Sequence, residues 1–444
     1  MTAPVRSSES STWRWLAALL LLGVAVRWVA FAGYPAQSYP DTGTYFRAAA
    51  ELISGDFSVD QARRTPGYPL VVVLAGSSSG GVVALQWTAG IATSLLLFAL
   101  VRLVGGSPAL AFVAGASYNL NLQQLYQEAD LLTETFSTFS VVATLVALAC
   151  TIRRLRQGRS AWGLLVLTGV AGGYAVMVRP QFVVFGIVVP LALLWAQGGW
   201  RWPTWRSVAV AAVATLPIVL SVLAWCAVVW VKVGYFTMST QSGFGMVNHP
   251  IDYIEQAPAP YEKVRDILVR TRDARIAEVG HSRNTIWYAW PEIQRATGWT
   301  LPEASRHFQR MCTQMFAADP MRYAVSVAHA WYDFWAVPIF WEPGQIRPPW
   351  LGAWLDKVWS WQMWALRLFN LAFVGLVALV LVWPRARRGT GWGIELTAVA
   401  AVVLMSSVVQ ALADQGASAR YAIPTQAAVV VVVVVAAWRW WSAR

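Results

Sequence analysis

An all-α polytopic membrane protein of about ten transmembrane helices, with a mostly helical extracytoplasmic domain, is the fold class that the sequence predicts. Three observations carry this expectation. The 444 residues are 57% hydrophobic and only 13% charged, against roughly 25% charged in a soluble domain, and the mean hydropathy is +0.48. Apolar runs near 20 residues recur along the chain, the length that crosses ~30 Å of hydrocarbon. The arginines cluster in short segments between those runs, as the positive-inside bias of membrane proteins requires.

The first apolar run covers residues 14–33. Arg6 and Arg14 ahead of it imitate a secretory signal, but the run exceeds a signal's apolar stretch and no small-x-small cleavage site precedes Tyr34. It reads as a retained span with a cytoplasmic N-terminus. An outer loop, residues 34–69, follows. The second span is 82–104, with Arg102 at its cytoplasmic end. The third starts at Pro108, turns polar at Asn119, Asn121, Gln123 and Gln124, and ends near Tyr126. The fourth, about 131–150, leads into Arg153, Arg154, Arg156 and Arg159, the most basic short loop in the chain. The fifth covers 162–178, the sixth 182–195, and Arg201 and Arg206 mark the next cytoplasmic loop. The seventh runs over 208–231 and closes an N-terminal membrane module, residues 1–231.

From 232 to 360 the composition turns soluble-like, so this segment reads as the extracytoplasmic domain, with helices expected near 261–279 and 302–316. Within it, 325–341 is apolar but short and is interrupted by Asp333 and Pro338. Counting it as a span would put Arg385, Arg387 and Arg388 outside, so an interfacial or re-entrant helix is expected instead. Spans at 361–383, 394–413 and 422–438 make up a C-terminal membrane part, 361–444, that ends in the cytoplasm. The 27 tryptophans concentrate at span ends, where an interfacial belt is expected.

A net charge of +12 could point to nucleic acid. The placement of the arginines beside spans argues for the bilayer as the partner instead. Cys150, Cys226 and Cys312 are too few and too scattered for a disulfide framework or a thiolate metal site, and they read as small buried residues.

The chemistry collects on one side. Residues 34–69 hold Asp41 and the pair Arg63 and Arg64, followed by Pro-Gly-Tyr-Pro. Asp130 and Glu134 open the fourth span, Arg179 lies between the fifth and sixth, and Arg420 and Tyr421 lie before the last. His249 is in the large loop. Spans need no ionisable groups to associate, and such groups at their ends are site hypotheses by default. Four positions apart, Asp130 and Glu134 would share a helix face and call for a cation, a sugar hydroxyl network or an arginine, with Arg179 and Arg420 on hand. Arginines at headgroup depth suit a lipid phosphate, because the guanidinium fork binds phosphate oxygens bidentately. A carboxylate opposite suits removal of a proton from an acceptor hydroxyl.

One apolar span, then PDTGTYFRAAAELISGD, RRTPGYPL, LTETFSTF opening a later span, and ARYAIP opening the last, resembles the GT-C superfamily of integral membrane glycosyltransferases. The likeness is to bacterial members of the protein-mannosyltransferase and aminoarabinose-transferase type, over residues 13–231 and 420–424. It implies a cell-membrane glycosyltransferase that moves a sugar from a polyprenyl-phosphate donor to an extracytoplasmic acceptor. By resemblance Asp41 falls on the catalytic aspartate, and Arg63 and Arg64 on the basic-Pro motif facing the donor phosphate, with Arg179 and Arg420 beside them. Glu134 falls on the acidic position of the fourth span and Arg420–Tyr421 on the Arg-Tyr motif. Tyr45, Tyr68, Asp130 and His249 complete the substrate-facing candidates. Relatives often carry a second carboxylate where this chain has Thr42, so a divalent metal ion stays open, and no other cofactor is expected. The alternative class, a transporter or lipid/glycan flippase, needs polar groups at mid-span, and these spans hold few.

Overall fold

A computed structural model of the chain describes residues 6–198, 203–337, 339, 341–416 and 418–442, and of residues 6–11 and Ser418 the backbone only. Arg201, expected to mark a cytoplasmic loop, lies outside the described residues, as does Pro338. The described chain is helical, with one isolated bridge between Gln37 and Asp130 in place of any sheet.

Among the described residues, eight helices are long and apolar enough to cross a membrane: Thr12–Gly33, Ser79–Leu103, Glu134–Arg156, Pro180–Gly198, Trp205–Val233, Pro349–Val382, Ile394–Ala413 and Ala419–Ser442. This corrects the expected ten. The expected third span is a 12-residue helix, Pro108–Asn119, about 18 Å at 1.5 Å per residue and short of the bilayer. It stops because the Asn121 side chain accepts from the backbone N–H groups of Gln123 and Gln124 and starts a separate short helix, Leu122–Gln127. The expected fifth, Trp162–Val178, is a shorter apolar helix of 17 residues, packed between Glu134–Arg156 and Trp205–Val233.

Hydrogen bonds between helix ends sort the molecule into two faces. On one, the Lys232 Nζ donates to the Gly55 carbonyl at 2.9 Å and the Arg347 N–H donates to the Gly33 carbonyl at 2.8 Å. On the other, Arg156 pairs with Glu395 at 2.8 Å, and Arg439 donates to the carbonyls of Gly391 and Val104. Every candidate site residue belongs to the first face. Between the helices runs an apolar core of small and branched side chains, among them Val141, Val176, Ala214, Val402 and Val432.

A second core, around Phe244, Ile286, Phe308 and Cys312, belongs to the segment outside the bundle. Its helices include Glu262–Val279, Thr285–Thr297 and Leu301–Ala318. The last begins with a capping box, Thr300 and Glu303 satisfying each other's backbone N–H groups. The next helix, Pro320–Phe334, starts where the Tyr323 hydroxyl donates to the Leu412 carbonyl and descends to where the Trp331 indole meets Ser407. The chain then returns past Trp341 to Arg347 beside Gly33.

Candidate active site

Five elements meet at the first face. Asp41 sits at the N-cap of Thr42–Ser54, yet its side chain makes no capping bond. An aspartate there would ordinarily accept from the first-turn N–H groups. Instead the Thr42 hydroxyl ties back the residues before the helix, accepting from the Tyr39 N–H, and the Asp41 carboxylate is left to the arginines. Arg64 Nη2 lies 2.6 Å from Asp41 Oδ1, and Arg420 Nη1 lies 2.9 Å from Asp41 Oδ2. Arg420 also reaches Glu134 through its Nε, and Arg179 Nη2 lies 2.6 Å from the same Glu134 oxygen. The result is one continuous chain, Arg64–Asp41–Arg420–Glu134–Arg179, drawn from five separate stretches of sequence.

Neutral groups fix the guanidinium planes. Arg64 Nε donates to the Thr44 hydroxyl at 2.8 Å, and its plane lies over the Tyr45 ring at 4.7 Å. Arg179 Nε donates to the Thr133 hydroxyl at 2.8 Å and covers Tyr421 at 4.8 Å. Such stacking retains the charge while excluding water from one side. Gly67 lets the first loop lie on the carbonyl end of Trp162–Val178, since a Cβ there would strike Met177 and Val178.

Access separates the carboxylates. The Glu134 side chain is fully buried, whereas that of Asp41 is one-third exposed at 33%. Burial alone would raise the Asp41 carboxyl, but the guanidiniums of Arg64 and Arg420 outweigh it and hold the group well below the usual carboxylate range. Asp130 behaves oppositely. It is fully buried and neither carboxylate oxygen has a hydrogen-bond partner among the described residues. Burial, with the Glu134 charge nearby, pushes it well above the usual range. The ion-pair chain itself counts three guanidiniums, Arg64, Arg420 and Arg179, against the two carboxylates of Asp41 and Glu134, an arrangement suited to an anion.

Three expectations need revision in detail. Asp130 does not share a helix face with Glu134: the helix begins at Glu134, because residues 129–131 bridge to Gln37 through Gln37 N–H to Ala129 O and Leu131 N–H to Gln37 O, both 3.0 Å. Arg63 does not join Arg64. Its Nε donates to Gln241 Oε1 at 2.7 Å and its plane covers Trp287 at 4.8 Å. His249 is buried between Phe316 and Tyr323 with Nδ1 2.7 Å from the Ser326 hydroxyl. Burial pushes its imidazole down to about 4, so it is neutral at pH 7 and contributes no charge. Tyr68 stands behind Tyr45, ring centroids 5.0 Å apart, with its hydroxyl donating to Gln86.

A metal fits this site poorly. Among the described residues no three His, Cys, Asp or Glu side chains converge, and both oxygens of Asp41 and one of Glu134 already face guanidiniums.

A buried ion pair lies outside the candidates that the sequence offered. Arg27, within the first span, meets Glu128 through two 2.6 Å hydrogen bonds and also donates to Asn119 at 2.9 Å. Gln86 ties the same stretch down by donating to the carbonyls of Glu128 and Asp130. A lone arginine inside an apolar run was the available signal.

Against known proteins, no family model and no curated sequence matches the chain. Among solved structures it is similar to the oligosaccharyltransferase AglB from Archaeoglobus fulgidus in complex with an inhibitory peptide and a dolichol-phosphate, with a TM-score of 0.47 and 12% identity. It is also similar to that organism's oligosaccharyltransferase tethered with an acceptor peptide containing the NVT sequon, with a TM-score of 0.48 and 12% identity. The alignments cover 94% and 95% of this chain but 50% and 49% of those chains, so the chain spans about half their length. Likeness of this degree carries no argument about activity, which has to come from the residues themselves.

Proposed function

We propose that the protein is a membrane glycosyltransferase that moves a sugar from a polyprenyl-phosphate donor to an acceptor hydroxyl on the extracytoplasmic face. The observation that carries the reading is the bracketing of one solvent-reached carboxylate, Asp41, by Arg64 and Arg420. A donor phosphate entering the cluster competes for those two guanidiniums, each able to take phosphate oxygens through its fork. Asp41 then loses the partners that depress its proton affinity and becomes a base when a donor is in place. The acceptor oxygen attacks the anomeric carbon, its proton passes to Asp41, and the bond from that carbon to the phosphate oxygen breaks. The electron pair leaves with the polyprenyl phosphate, whose added charge Arg64 and Arg420 stabilise. Glu134, itself paired with Arg179, holds Arg420 from behind. A transporter would place such groups along a path through the bilayer; this cluster gathers at one face.

The test is transfer by purified protein in liposomes, offered a panel of radiolabelled polyprenyl-phosphate sugars. Release or transfer of sugar from one of them supports the reading. Movement of intact donor across the bilayer without cleavage would replace it with the flippase alternative.

A further inference from the structure

Arg63 and Arg64 are neighbours in sequence but face opposite ways, and the backbone between the helix Thr42–Ser54 and this pair is built to make them do so. Gln61 and Ala62 have φ of 53° and 55°, consecutive left-handed positions that residues with a Cβ adopt only under strain. The strain is held from both sides. Glu51 Oε1 accepts the N–H groups of Asp60 and Gln61 at 2.7 and 2.8 Å. From the outer domain, Thr240 donates its hydroxyl to the Gln61 carbonyl and Ser239 donates its own to the Arg63 carbonyl, at 2.8 and 2.7 Å. Strain maintained in this way is characteristic of ligand sites.

The turn opens a cavity of about 270 Å³ between the first loop and the outer domain, lined by Arg47, Asp60, Arg63, Trp290, Gln294 and Thr300 among others. Arg47 Nε pairs with Asp60 Oδ1 at 3.2 Å, so those two charges offset each other. Arg63 has no carboxylate partner among the described residues, and only its Nε is hydrogen-bonded. Its terminal nitrogens are the unmatched positive charge of the lining. The Gln294 amide and the Trp290 indole N–H likewise make no hydrogen bond to protein among the described residues. The Thr300 hydroxyl is already taken up in its capping box with Glu303, and Trp290 meets Phe244 edge to face. An aromatic ring at the rim, an unengaged amide and one unmatched guanidinium form a set that suits a sugar ring with an acidic substituent. The ring lies against Trp290, its hydroxyls meet Gln294, and its anionic group takes the Arg63 fork.

We infer that this cavity is a binding subsite for an acidic saccharide, separate from the Asp41 cluster and joined to it by the single peptide bond between Arg63 and Arg64. Calling that saccharide the acceptor rests on the transferase reading; the binding itself does not. Saturation-transfer NMR on the purified full chain tests it with methyl glucuronide, glucose 6-phosphate and methyl glucoside at millimolar concentration. Expected is transfer to at least one of the two acidic probes, which tells carboxylate from phosphate, and much weaker transfer to the glucoside. Arg63→Gln and Trp290→Ala should each weaken binding about tenfold or more, with Arg63→Lys between them and the parent. Gln294→Ala, on an exposed position, provides a variant that does not disturb the loop and should also weaken binding. Equal binding of the neutral glucoside, binding indifferent to these variants in protein of parental thermal stability, or no binding of any probe would overturn the subsite. Acidic-sugar binding without transfer from any donor would leave the subsite and remove the transferase, and the converse result would do the reverse.

Discussion

Replacing Asp41 by Asn should move turnover and donor affinity in opposite directions. Asn is nearly isosteric but cannot accept the acceptor's proton, so turnover should fall by roughly 10²–10⁴, or about 3–5 kcal/mol of barrier. Donor binding should tighten. In the resting protein a phosphate has to displace Asp41 from Arg64 and Arg420, at 2.6 and 2.9 Å. Charge-assisted bonds are worth ~1.5–3 kcal/mol each. Asp41 is one-third exposed, so solvent screening reduces that figure, and Asn keeps one acceptor oxygen. A net gain of about 1–2 kcal/mol remains, a roughly 5–30-fold lower Kd. The assay is equilibrium binding of a radiolabelled donor, with turnover measured on the same liposomes. Unchanged or weaker binding would mean that the phosphate does not take over the guanidiniums, and normal turnover would remove Asp41 as the base. Asp56, exposed and with a carboxylate that accepts the Ser58 N–H, is the control carboxylate. Glu51 is not a control, because it holds the Asp60–Gln61 turn.

The same exchange predicts a pH signature. Asp41 has a depressed folded value, so its pairing contributes above the usual carboxylate pKa near 3.9 and is lost only as pH falls through the depressed value. Once donor phosphate takes its partners, its proton affinity rises, so the acid limb of kcat should lie at higher pH than that of kcat/KM; coincident limbs would contradict the exchange. Arg64→Ala should abolish donor binding, and Arg64→Lys, which retains charge but not the fork, should keep part of it; full binding by the Ala variant would remove Arg64 from the phosphate site. Arg27→Gln or Glu128→Gln alone leaves one charge buried, a cost of about 3–5 kcal/mol visible as a lower thermal midpoint in detergent. The double change to Met and Leu should recover much of it, and a neutral single variant would show that the pair is dispensable. Cysteine labelling from outside should reach Asp56 and Glu262 and miss Arg156 and Arg387, whereas labelling at Arg387 would reverse the last three spans.

What the sequence determined by itself is whatever depends on local composition. Hydrocarbon length and arginine placement are properties of a contiguous window, so the class, the long spans and the soluble-like insertion were legible directly. So were the positions where ionisable groups break the apolar pattern, Asp41, Arg64, Glu134, Arg179 and Arg420 among them. The count of spans differs at two helices: at Asn121, whose capping bonds end the helix that begins at Pro108, and at Trp162–Val178, which stops at 17 residues. Tertiary structure decided the rest, because pairing between distant residues has no local signature. Arg63 and Arg64 carry the same side chain side by side, and only a turn held by Glu51, Ser239 and Thr240 sends one toward Asp41 and the other to Trp287. Arg27 and Glu128 are 101 residues apart, and neither reveals a partner until the first helix packs against the stretch before the Glu134–Arg156 helix. Asp130 and Glu134 look equivalent in the sequence, yet Glu134 pairs with Arg179 and Arg420 while neither Asp130 oxygen has a hydrogen-bond partner among the described residues, a difference that exists only in three dimensions because those arginines come from distant stretches of chain.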